Sequence, residues 1–203
     1  EGNSPEEILS ATYFRRKPEL FYRFYRGKML FPDAKPGKAH YMLAELERCG
    51  KLSCVITQNI DGLHQAAGSR NVLELHGTVH RNCCTVCGKT YDLDYILHRR
   101  GIPYCAACGG LIKPCVTLYG EMLPEGVFKK AAAAVQRADL LIIGGTSLTV
   151  YPAASLASYF QGDCIAILNK TATPADHAAS IVIRDSVGAA LDAVVKSWKA
   201  QRD

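Results

Sequence analysis

The sequence lacks the features that would place the protein in a membrane, in a disordered state or on nucleic acid. Its longest apolar runs, such as Leu140 to Ile143, fall far short of the roughly 20 residues that a membrane span needs. Charged residues make up 21% of the chain and hydrophobic residues 48%, ordinary values that argue against disorder. The net charge of +5 is too small and too scattered to predict a nucleic-acid partner.

The sequence also lacks the cysteine pattern of a disulfide-stabilised scaffold. It has nine cysteines in 203 residues, an odd number in a chain of this length. We therefore expect a reducing compartment, the cytoplasm, with some thiols in a metal site and others buried as small apolar residues.

Short apolar segments alternate with helical segments along the chain. Strands are predicted at 53–57, 72–75, 139–143, 164–168 and 180–183. Helices are predicted from Ser4-Pro5 onward, at 19–28, at 40–49, near Asp61 and from Ser186 to about Lys199. Strands that are apolar throughout indicate a parallel sheet covered on both faces. The predicted fold class is α/β, with a doubly wound, Rossmann-like parallel sheet.

Four cysteines in the middle of the chain predict a zinc site. Cys84-x2-Cys87 and Cys105-x2-Cys108 are 17 residues apart, a spacing typical of four thiolates around one zinc ion. Four thiolates leave no open coordination position, so the zinc is predicted to be structural. Cys83 is not predicted as a ligand, because the two-residue gap to Cys87 favours Cys84.

These patterns predict a domain organisation with a small insert. Residues 81–114 form a zinc-ribbon module, and residues 1–80 and 115–203 form a Rossmann-like domain with a helical small-domain segment near 18–50. We see no internal repeat.

Polar and glycine residues follow the predicted strands, where ligands bind in parallel sheets. They are Gln58, Asn59, Asp61, His76, Gly145, Thr146, Ser147, Asn169 and Ser186. Glycines allow close approach of backbone to a ligand, and hydroxyls and amides donate to phosphate or ribose oxygens. Taken singly, each residue also has a structural explanation: Asp61 could cap a helix, and Asn169 could form a turn.

Taken together and in order, these motifs resemble the sirtuins, the NAD-dependent protein lysine deacylases, and most closely the simple bacterial members. The resemblance extends from about Pro18 to the last helix. The motifs are Thr57-Gln58-Asn59-Ile60-Asp61-Gly62-Leu63-His64, Leu75-His76-Gly77, the four cysteines, Tyr119-Gly120-Glu121-x-Leu123-Pro124, Gly145-Thr146-Ser147-Leu148 and Val150-Tyr151-Pro152-Ala153.

The resemblance implies roles in NAD binding and catalysis. His76 matches the general base that deprotonates a ribose hydroxyl, a step suited to histidine because the pKa of a free imidazole lies near working pH. Asn59 matches the residue that orients the nicotinamide ribose and a water, and Asp61 matches the group that bonds the carboxamide. The other implied contacts with NAD are Gln58 (ribose), Gly145, Thr146 and Ser147 (phosphate and adenosine), Asn169 and Lys170 (adenosine ribose), and Ser186 (adenine end).

The resemblance also implies how the acylated lysine of a protein or peptide substrate binds. Residues 117–121, with Thr117, Gly120 and Glu121, match a strand that pairs with the substrate peptide. Tyr119 and Val150 match the two walls of the acyl-lysine tunnel. In the implied reaction the acyl oxygen attacks the nicotinamide ribose, nicotinamide leaves, and water completes the formation of free lysine and O-acyl-ADP-ribose. We expect a monomer with no membrane or nucleic-acid partner.

The chain departs from the family pattern at two places. Sirtuins begin the nucleotide fold with a strand and a Gly-Ala-Gly-x-Ser turn, and neither is in this sequence. We expect the full-length protein to carry this segment, and NAD binding to be weak without it. Members that remove succinyl groups use Tyr-x-x-Arg, but here Tyr25 lies three residues after Tyr22, and Arg26 follows one position later. This favours acetyl or other apolar acyl groups.

Two alternatives stay open at this point. The same residues could transfer a single ADP-ribose to a protein, or the chain could be a catalytically impaired NAD- and zinc-binding interaction module. The presence of His76, Asn59 and Asp61 together argues against the impaired module, and the missing cofactor loop argues for it.

Overall fold

The computed structural model describes residues 2–124 and 126–201. In chain order the helices are α1 (Pro5–Ile8), α2 (Ala11–Arg16), α3 (Pro18–Lys28), α4 (Lys38–Arg48), α5 (Leu63–Ala66), α6 (Leu93–Leu97), α7 (Val127–Gln136) and α8 (Val187–Ala200). The strands are β1 (Val55–Thr57), β2 (Val72–Glu74), β3 (Gly77–Cys84), β4 (Thr90–Tyr91), β5 (Ile112–Val116), β6 (Leu140–Gly144), β7 (Cys164–Leu168) and β8 (Ile181–Ile183). Two short 3₁₀ helices lie at Ala153–Tyr159 and Asp176–Ala178.

The chain divides into two compact units. Unit 1 consists of Glu1–Ala34, Asn59–Gly62 and His76–Pro124. Unit 2 consists of Lys35–Gln58, Leu63–Leu75 and Glu125–Asp203. The domain bounds expected from the sequence stay a prediction.

Unit 1 begins with three helices whose ends follow the sequence signals. Ser4 accepts a hydrogen bond from the N–H of Glu7 at the start of α1, and Ser10 accepts one from Tyr13 at the start of α2. Pro18 opens α3, as predicted, because a helix leaves the first N–H groups unpaired and loses nothing to proline there.

An aromatic cluster forms the centre of unit 1. Phe21, Tyr22 and Tyr25 of α3 are almost completely buried. Phe14 of α2 meets Phe21 edge-on with ring centroids 5.0 Å apart, an arrangement that aromatic rings favour. Ile112, Val116 and other buried residues of β5 and its surroundings complete the same core.

The strands of unit 1 form an antiparallel sheet in the order β4-β3-β5. Between Gly77 and Asn82 the pairing of β3 with β5 changes register. The four cysteines of the predicted zinc site lie in this part of the chain, on β3 and in the loops that follow it.

Among the described residues of unit 2, all strand pairs are parallel, which confirms the predicted α/β fold class. Strand β1 pairs with β2, and β6, β7 and β8 form a second sheet in that order. Strand β7 is buried at its carboxyl end, at Ala166, Ile167 and Leu168. Ends of adjacent parallel strands share one edge of the sheet, so β6, β7 and β8 present their following loops together.

Helices cover the strands of unit 2. Leu168 of β7 packs with Ala190 and Leu191 of α8, and Met42 and Leu43 of α4 pack against this group. Leu75 packs with Ala131 of α7 and with Leu156 of the first 3₁₀ helix.

One local prediction was wrong. Residues 117–121 were expected to form a strand, but β5 ends at Val116 and only Tyr119 makes an isolated bridge, to Ser10. The helix expected near Asp61 is present and begins at Leu63. In the described ranges, 2–124 and 126–201, no helix is long and apolar enough to cross a membrane.

Candidate functional site

A pocket lies at the carboxyl ends of β6, β7 and β8 in unit 2. Its volume is about 390 Å³. The residues that line it follow the three strands: Gly145, Thr146, Ser147, Asn169, Lys170, Thr171, Asp185, Ser186 and Val187. Six of these nine were predicted from the sequence as contacts with NAD. The pocket therefore brings together the candidates from three separate stretches of chain.

Two glycines, Gly144 and Gly145, allow the conformation of the loop that follows β6. A Cβ at Gly144 would lie 3.1 Å from a methyl group of Val187, so helix α8 packs directly against this backbone. Gly145 has φ of 64°, which side chains disfavour, and its N–H donates to the carbonyl of Leu168. Because Gly144 and Gly145 have no side chains, a ligand can approach this backbone closely.

The hydroxyl groups of Thr146 and Ser147 form hydrogen bonds with neighbouring side chains and backbone. The Oγ1 of Thr146 accepts hydrogen bonds from the side-chain amide of Gln58 at 3.4 Å and from the N–H of Leu148 at 3.1 Å. The Oγ of Ser147 lies 2.7 Å from the Oγ1 of Thr149. Gln58 thus contacts a residue of the pocket, although it does not itself line it.

The far side of the pocket is built from Asn169 and the start of α8. Asn169 is buried and its side-chain amide donates to the carbonyl of Thr171 at 2.9 Å. The Oγ of Ser186 accepts from the N–H of Ala189 at 3.2 Å and so caps α8. Sequence reasoning missed Thr171, Asp185 and Val187 as lining residues, although each lies within two positions of a predicted one.

A second group of candidates lies in unit 1. The side-chain amide of Asn59 donates to the Oδ2 of Asp61 at 3.4 Å. The carbonyl of Asp61 lies 2.9 Å from the Nε2 of His80 on β3, a contact that the sequence did not predict. The N–H of Val79 donates to the carbonyl of Ile60, which fixes the segment 59–62 against β3.

His76 occupies the turn between β2 and β3. It is half-buried, and its carbonyl accepts the N–H of Thr117 at 2.9 Å. The next residue, Gly77, begins β3 and is buried. The backbone of His76 is therefore fixed by strand pairing on its carboxyl side.

The predicted substrate segment is stabilised by its own contacts. Both backbone groups of Tyr119 bond to α1–α2 residues: its N–H donates to Leu9 and its carbonyl accepts from Ala11. Glu121 accepts from the N–H of Leu118 and from Lys113, each at 2.9 Å. The Tyr119 side chain is 52% exposed, so it is not an ordinary core aromatic.

Val150, the other predicted tunnel residue, belongs to unit 2. It is exposed and lies after the Gly145 loop. The pocket described above is lined by neither Val150 nor the unit 1 candidates.

The four predicted zinc ligands come together as expected. The Sγ atoms of Cys84, Cys87, Cys105 and Cys108 all lie within 4.8 Å of one another. Sγ atoms of Cys84 and Cys108 are 3.5 Å apart, and those of Cys87 and Cys105 are 3.6 Å apart. A tetrahedral zinc with Zn–S bonds of about 2.3 Å places its sulfur atoms roughly 3.8 Å from one another, so the cluster fits the ion.

One of the four cysteines accepts a hydrogen bond from a tyrosine. The hydroxyl of Tyr91 donates to the Sγ of Cys105 at 3.0 Å and accepts from the N–H of Ala106. That hydrogen bond, opposed by burial, lowers the pKa of Cys105 to about 6. The thiolate form that zinc requires is therefore favoured at this position.

Comparisons with known proteins agree with the geometry. The model of the Sir2 family matches residues 1–152. The NAD-dependent protein deacetylase of Clostridium acetobutylicum is 52% identical over 192 residues, 94% of this chain and 78% of that protein. The deacetylase of the same name from Clostridium perfringens is 51% identical over 193 residues, 95% of this chain and 79% of that protein.

Solved structures show the same fold. A Sir2 homologue in complex with NAD superposes with a TM-score of 0.92 at 37% identity, over 100% of this chain and 80% of that one. A Sir2 complex with a p53 peptide and NAD+ gives a TM-score of 0.91 at 38% identity, over 98% of this chain and 86% of that one. Another similar Sir2 structure holds 2'-O-acetyl-ADP-ribose and a deacetylated p53 peptide.

Proposed function

The chain belongs to the Sir2 family, and from that membership we infer that it is an NAD-dependent protein lysine deacetylase. It removes acetyl, or other apolar acyl, groups from lysine and yields nicotinamide and O-acyl-ADP-ribose. The observation that carries this function is the identity of about half over nearly the whole chain to proteins named for that activity. The matched residues 1–152 include His76, Asn59, Asp61 and the four cysteines.

We propose that the unit 2 pocket holds the adenosine part of NAD. Bare backbone at Gly145 and the hydroxyls of Thr146 and Ser147 suit phosphate oxygens. Asn169 and Lys170 bond the ribose hydroxyls, and Ser186 contacts the adenine end. Lys170 and the hydroxyl-bearing residues of the lining supply hydrogen-bond donors that suit phosphate and ribose oxygens.

We propose that Gln58, Asn59, Asp61 and His76 act on the nicotinamide end. Asp61 accepts from the carboxamide, Gln58 bonds the ribose, and Asn59 orients the ribose and a water. His76 takes the proton of a ribose hydroxyl, which then attacks the carbon of the activated acyl group. The fixed backbone of His76 would hold its ring steady for that transfer.

We propose two groups of contacts on the substrate side. Tyr119 and Val150 contact the acyl-lysine chain, and the peptide backbone of the substrate pairs with residues 117–121. The N–H and carbonyl of Tyr119 and the N–H groups of Thr117 and Glu121 already form hydrogen bonds within the protein. The peptide therefore pairs with the carbonyls of Thr117 and Glu121 and with the backbone of Gly120.

We expect zinc to stabilise the fold and to take no part in the reaction. Cys84, Cys87, Cys105 and Cys108 would fill all four positions of a tetrahedral ion, which leaves none for water or substrate.

The discriminating experiment compares wild type with His76→Ala on an acetyl-lysine peptide and NAD. We expect wild type to release nicotinamide, deacetylated peptide and O-acetyl-ADP-ribose in equal amounts, and His76→Ala to lose activity by about 10²- to 10⁴-fold. Mass spectrometry of peptide and nucleotide products measures this. His98→Ala is the matched control, because His98 is exposed and contacts only its own helix, at Asp94.

Two outcomes would contradict the proposed function. Attachment of ADP-ribose to the peptide, without deacetylation, would favour ADP-ribosyl transfer. No consumption of NAD by full-length wild-type protein that is folded and zinc-loaded would favour an interaction module.

We also propose that the protein works in the cytoplasm. Four thiolate ligands and five further cysteines fit a reducing compartment. Cell fractionation followed by immunodetection tests this, and recovery in an oxidising extracellular fraction would contradict it.

A further inference from the structure

Two cysteines outside the zinc cluster lie unusually close to each other. The Sγ atoms of Cys83 and Cys115 are 2.7 Å apart. A disulfide bond is about 2.05 Å long, so these sulfurs are within roughly 0.7 Å of bonding distance. Neither cysteine belongs to the group of four that fits zinc.

The strand pairing explains why the two thiols meet. Cys83 of β3 is paired with Lys113 of β5, and Cys115 follows two residues later on the same strand. Residues two apart on a strand point to the same face, so Cys115 is a diagonal neighbour of Cys83. Both thiols are half-buried, on the face opposite the buried Ile112, Pro114 and Val116.

Cys83 and Cys115 lie on either side of the zinc-binding cysteines in the sequence. All four zinc-binding cysteines, from Cys84 to Cys108, lie between Cys83 and Cys115. A bond between these two sulfurs would therefore close the whole zinc module at its base. It would join the same two strands, β3 and β5, that the zinc module connects.

We propose that Cys83 and Cys115 are a redox-reactive dithiol site, which a low-molecular-weight disulfide such as oxidised glutathione converts into an internal disulfide. The disulfide clamps β3 to β5 whether or not zinc is bound. The site is independent of the deacetylase function proposed above.

The reaction is a pair of thiol–disulfide exchanges. One protein thiol attacks a sulfur of oxidised glutathione as its thiolate; a protein–glutathione bond forms, and the glutathione S–S bond breaks to release one reduced glutathione. The second protein thiol attacks the protein sulfur of that mixed disulfide, forming the Cys83–Cys115 bond and releasing a second reduced glutathione. The two electrons lost by the protein thiols, and their two protons, end on the two glutathione molecules.

Proximity favours the second exchange over a stable glutathione adduct. The attacking thiol is already held beside its target, so the step has a high effective concentration, whereas external glutathione must diffuse in. An exposed cysteine without a neighbouring thiol, such as Cys49, would stop at the mixed disulfide.

The first test maps disulfides in the zinc-loaded protein after equilibration in glutathione buffers of increasing oxidising power. Alkylation of the remaining thiols and mass spectrometry without reduction identify the products. We expect a peptide pair joined through Cys83 and Cys115, with zinc retained in full. A glutathione adduct that persists on either cysteine, or a cross-link that recruits a zinc ligand, would overturn the proposal.

Single variants provide the controls. In Cys83→Ser and Cys115→Ser the cross-link is lost and a glutathione adduct accumulates on the remaining thiol. Cys49→Ser keeps the cross-link, because Cys49 lies on the end of α4 in unit 2. Zinc content and circular dichroism show whether each variant is folded. If a variant does not fold, the disulfide map of the wild-type protein still tests the proposal.

The second test asks whether the disulfide clamps the strands. Zinc is removed with a chelator from oxidised and from reduced protein, and amide hydrogen exchange is followed in β5. We expect slow exchange to persist in the oxidised protein and to be lost in the reduced protein, by about tenfold or more. Equal exchange in the two forms would refute the clamp.

Discussion

At the scale of single residues, Gly77 shows how tightly the backbone next to His76 is packed. A Cβ at this position would lie 2.0 Å from the carbonyl oxygen of Cys115, and φ is 77°. Only glycine tolerates both the contact and the conformation. Packing therefore requires glycine at position 77.

We predict that Gly77→Ala destabilises the protein by about 2 kcal/mol or more, because the methyl group must displace strand β5 and the backbone conformation is strained. Chemical denaturation measures the change. Gly27→Ala is the matched control: Gly27 lies inside α3 and a Cβ there meets nothing within 4 Å. The control should be neutral or gain roughly 0.5–1 kcal/mol. Equal stability of the two variants would contradict this prediction and show that β5 moves away from the added methyl group at little cost in free energy.

Arg26 and Tyr22 both bond to backbone carbonyls of unit 1. Arg26 donates to the carbonyls of Ile96 at 2.9 Å and of Gly101 at 2.7 Å. The buried Tyr22 donates its hydroxyl to the carbonyl of Ile112. The hydroxyl of Tyr22 and the Nε and Nη1 of Arg26 are thus bonded to backbone carbonyls of unit 1, whereas the Nη2 of Arg26 is buried without a hydrogen-bond partner among the described residues.

We predict that kcat/KM for an acetyl-lysine peptide exceeds that for the succinyl-lysine peptide of the same sequence by about tenfold or more, since a buried carboxylate without a partner is costly. Competition between the two peptides, read by mass spectrometry, measures the ratio. A propionyl-lysine peptide is the control for chain length and should be accepted. Preference for succinyl would mean that Arg26 leaves its carbonyl partners when substrate binds.

At the scale of secondary-structure elements, helices α4 and α8 are joined by charges as well as by apolar packing. Glu45 of α4 accepts from Arg48 of the same helix and from Lys199 of α8. Asp192 of α8 pairs with Lys38 of α4 and with Lys196. Hydrogen bonds from Arg48, and next from Lys199, lower the pKa of Glu45 from 4.5 to about 2.

We predict that Glu45 stabilises the fold above pH 4.5 and loses that effect as pH falls toward about 2, because its pKa is lower in the folded than in the unfolded chain. Glu45→Gln should therefore melt at a lower temperature than wild type at neutral pH, with the gap closing in acid and in high salt. Thermal unfolding followed by circular dichroism checks this. Glu6→Gln, in the exposed helix α1, is the control and should show no such gap.

The local signals in the sequence were enough to predict most elements of this fold. Ser4 with Pro5, Pro18 and Ser186 mark helix starts by chemistry that acts within one turn. The zinc cluster was predicted by spacing alone, because four cysteines at short intervals have few other uses. The adenosine-side candidates met in one pocket since parallel strands end at a common edge.

Long-range contacts were beyond the reach of the sequence. The strand predicted at 117–121 is reduced to one parallel bridge, in which Tyr119 bonds to Leu9 and Ala11, more than a hundred positions earlier. His80 was missed because only the fold brings β3 beside Asp61. The approach of Cys83 to Cys115 depends on a pairing register that no local pattern encodes.

At the scale of the whole molecule, the zinc ion is expected to hold together a large part of unit 1. Cys84 lies at the end of β3 and Cys105 is buried in the same core as α3. Loss of the ion would leave four thiolates crowded within 4.8 Å of one another.

We predict that chelation of zinc under reducing conditions lowers the midpoint of thermal unfolding and abolishes deacetylation, although zinc takes no part in the chemical step. Cys105→Ser should reproduce both effects, because three ligands hold zinc far less tightly than four. Zinc content, melting and activity are measured on the same samples. Cys164→Ser, on β7 and outside the cluster, is the control. A zinc-free protein that melts like the loaded one would contradict a structural role.

The composition of the unit 1 core has a consequence for synthesis on the ribosome. Phe14, Phe21 and Tyr22 emerge early, but the residues that bury them, such as Ile112 and Leu118, follow about ninety or more positions later. The nascent chain must carry an exposed aromatic surface until β5 has been made, which is the kind of intermediate that aggregates or recruits chaperones. We expect the yield of folded protein to depend on how fast the chain is translated between those two points.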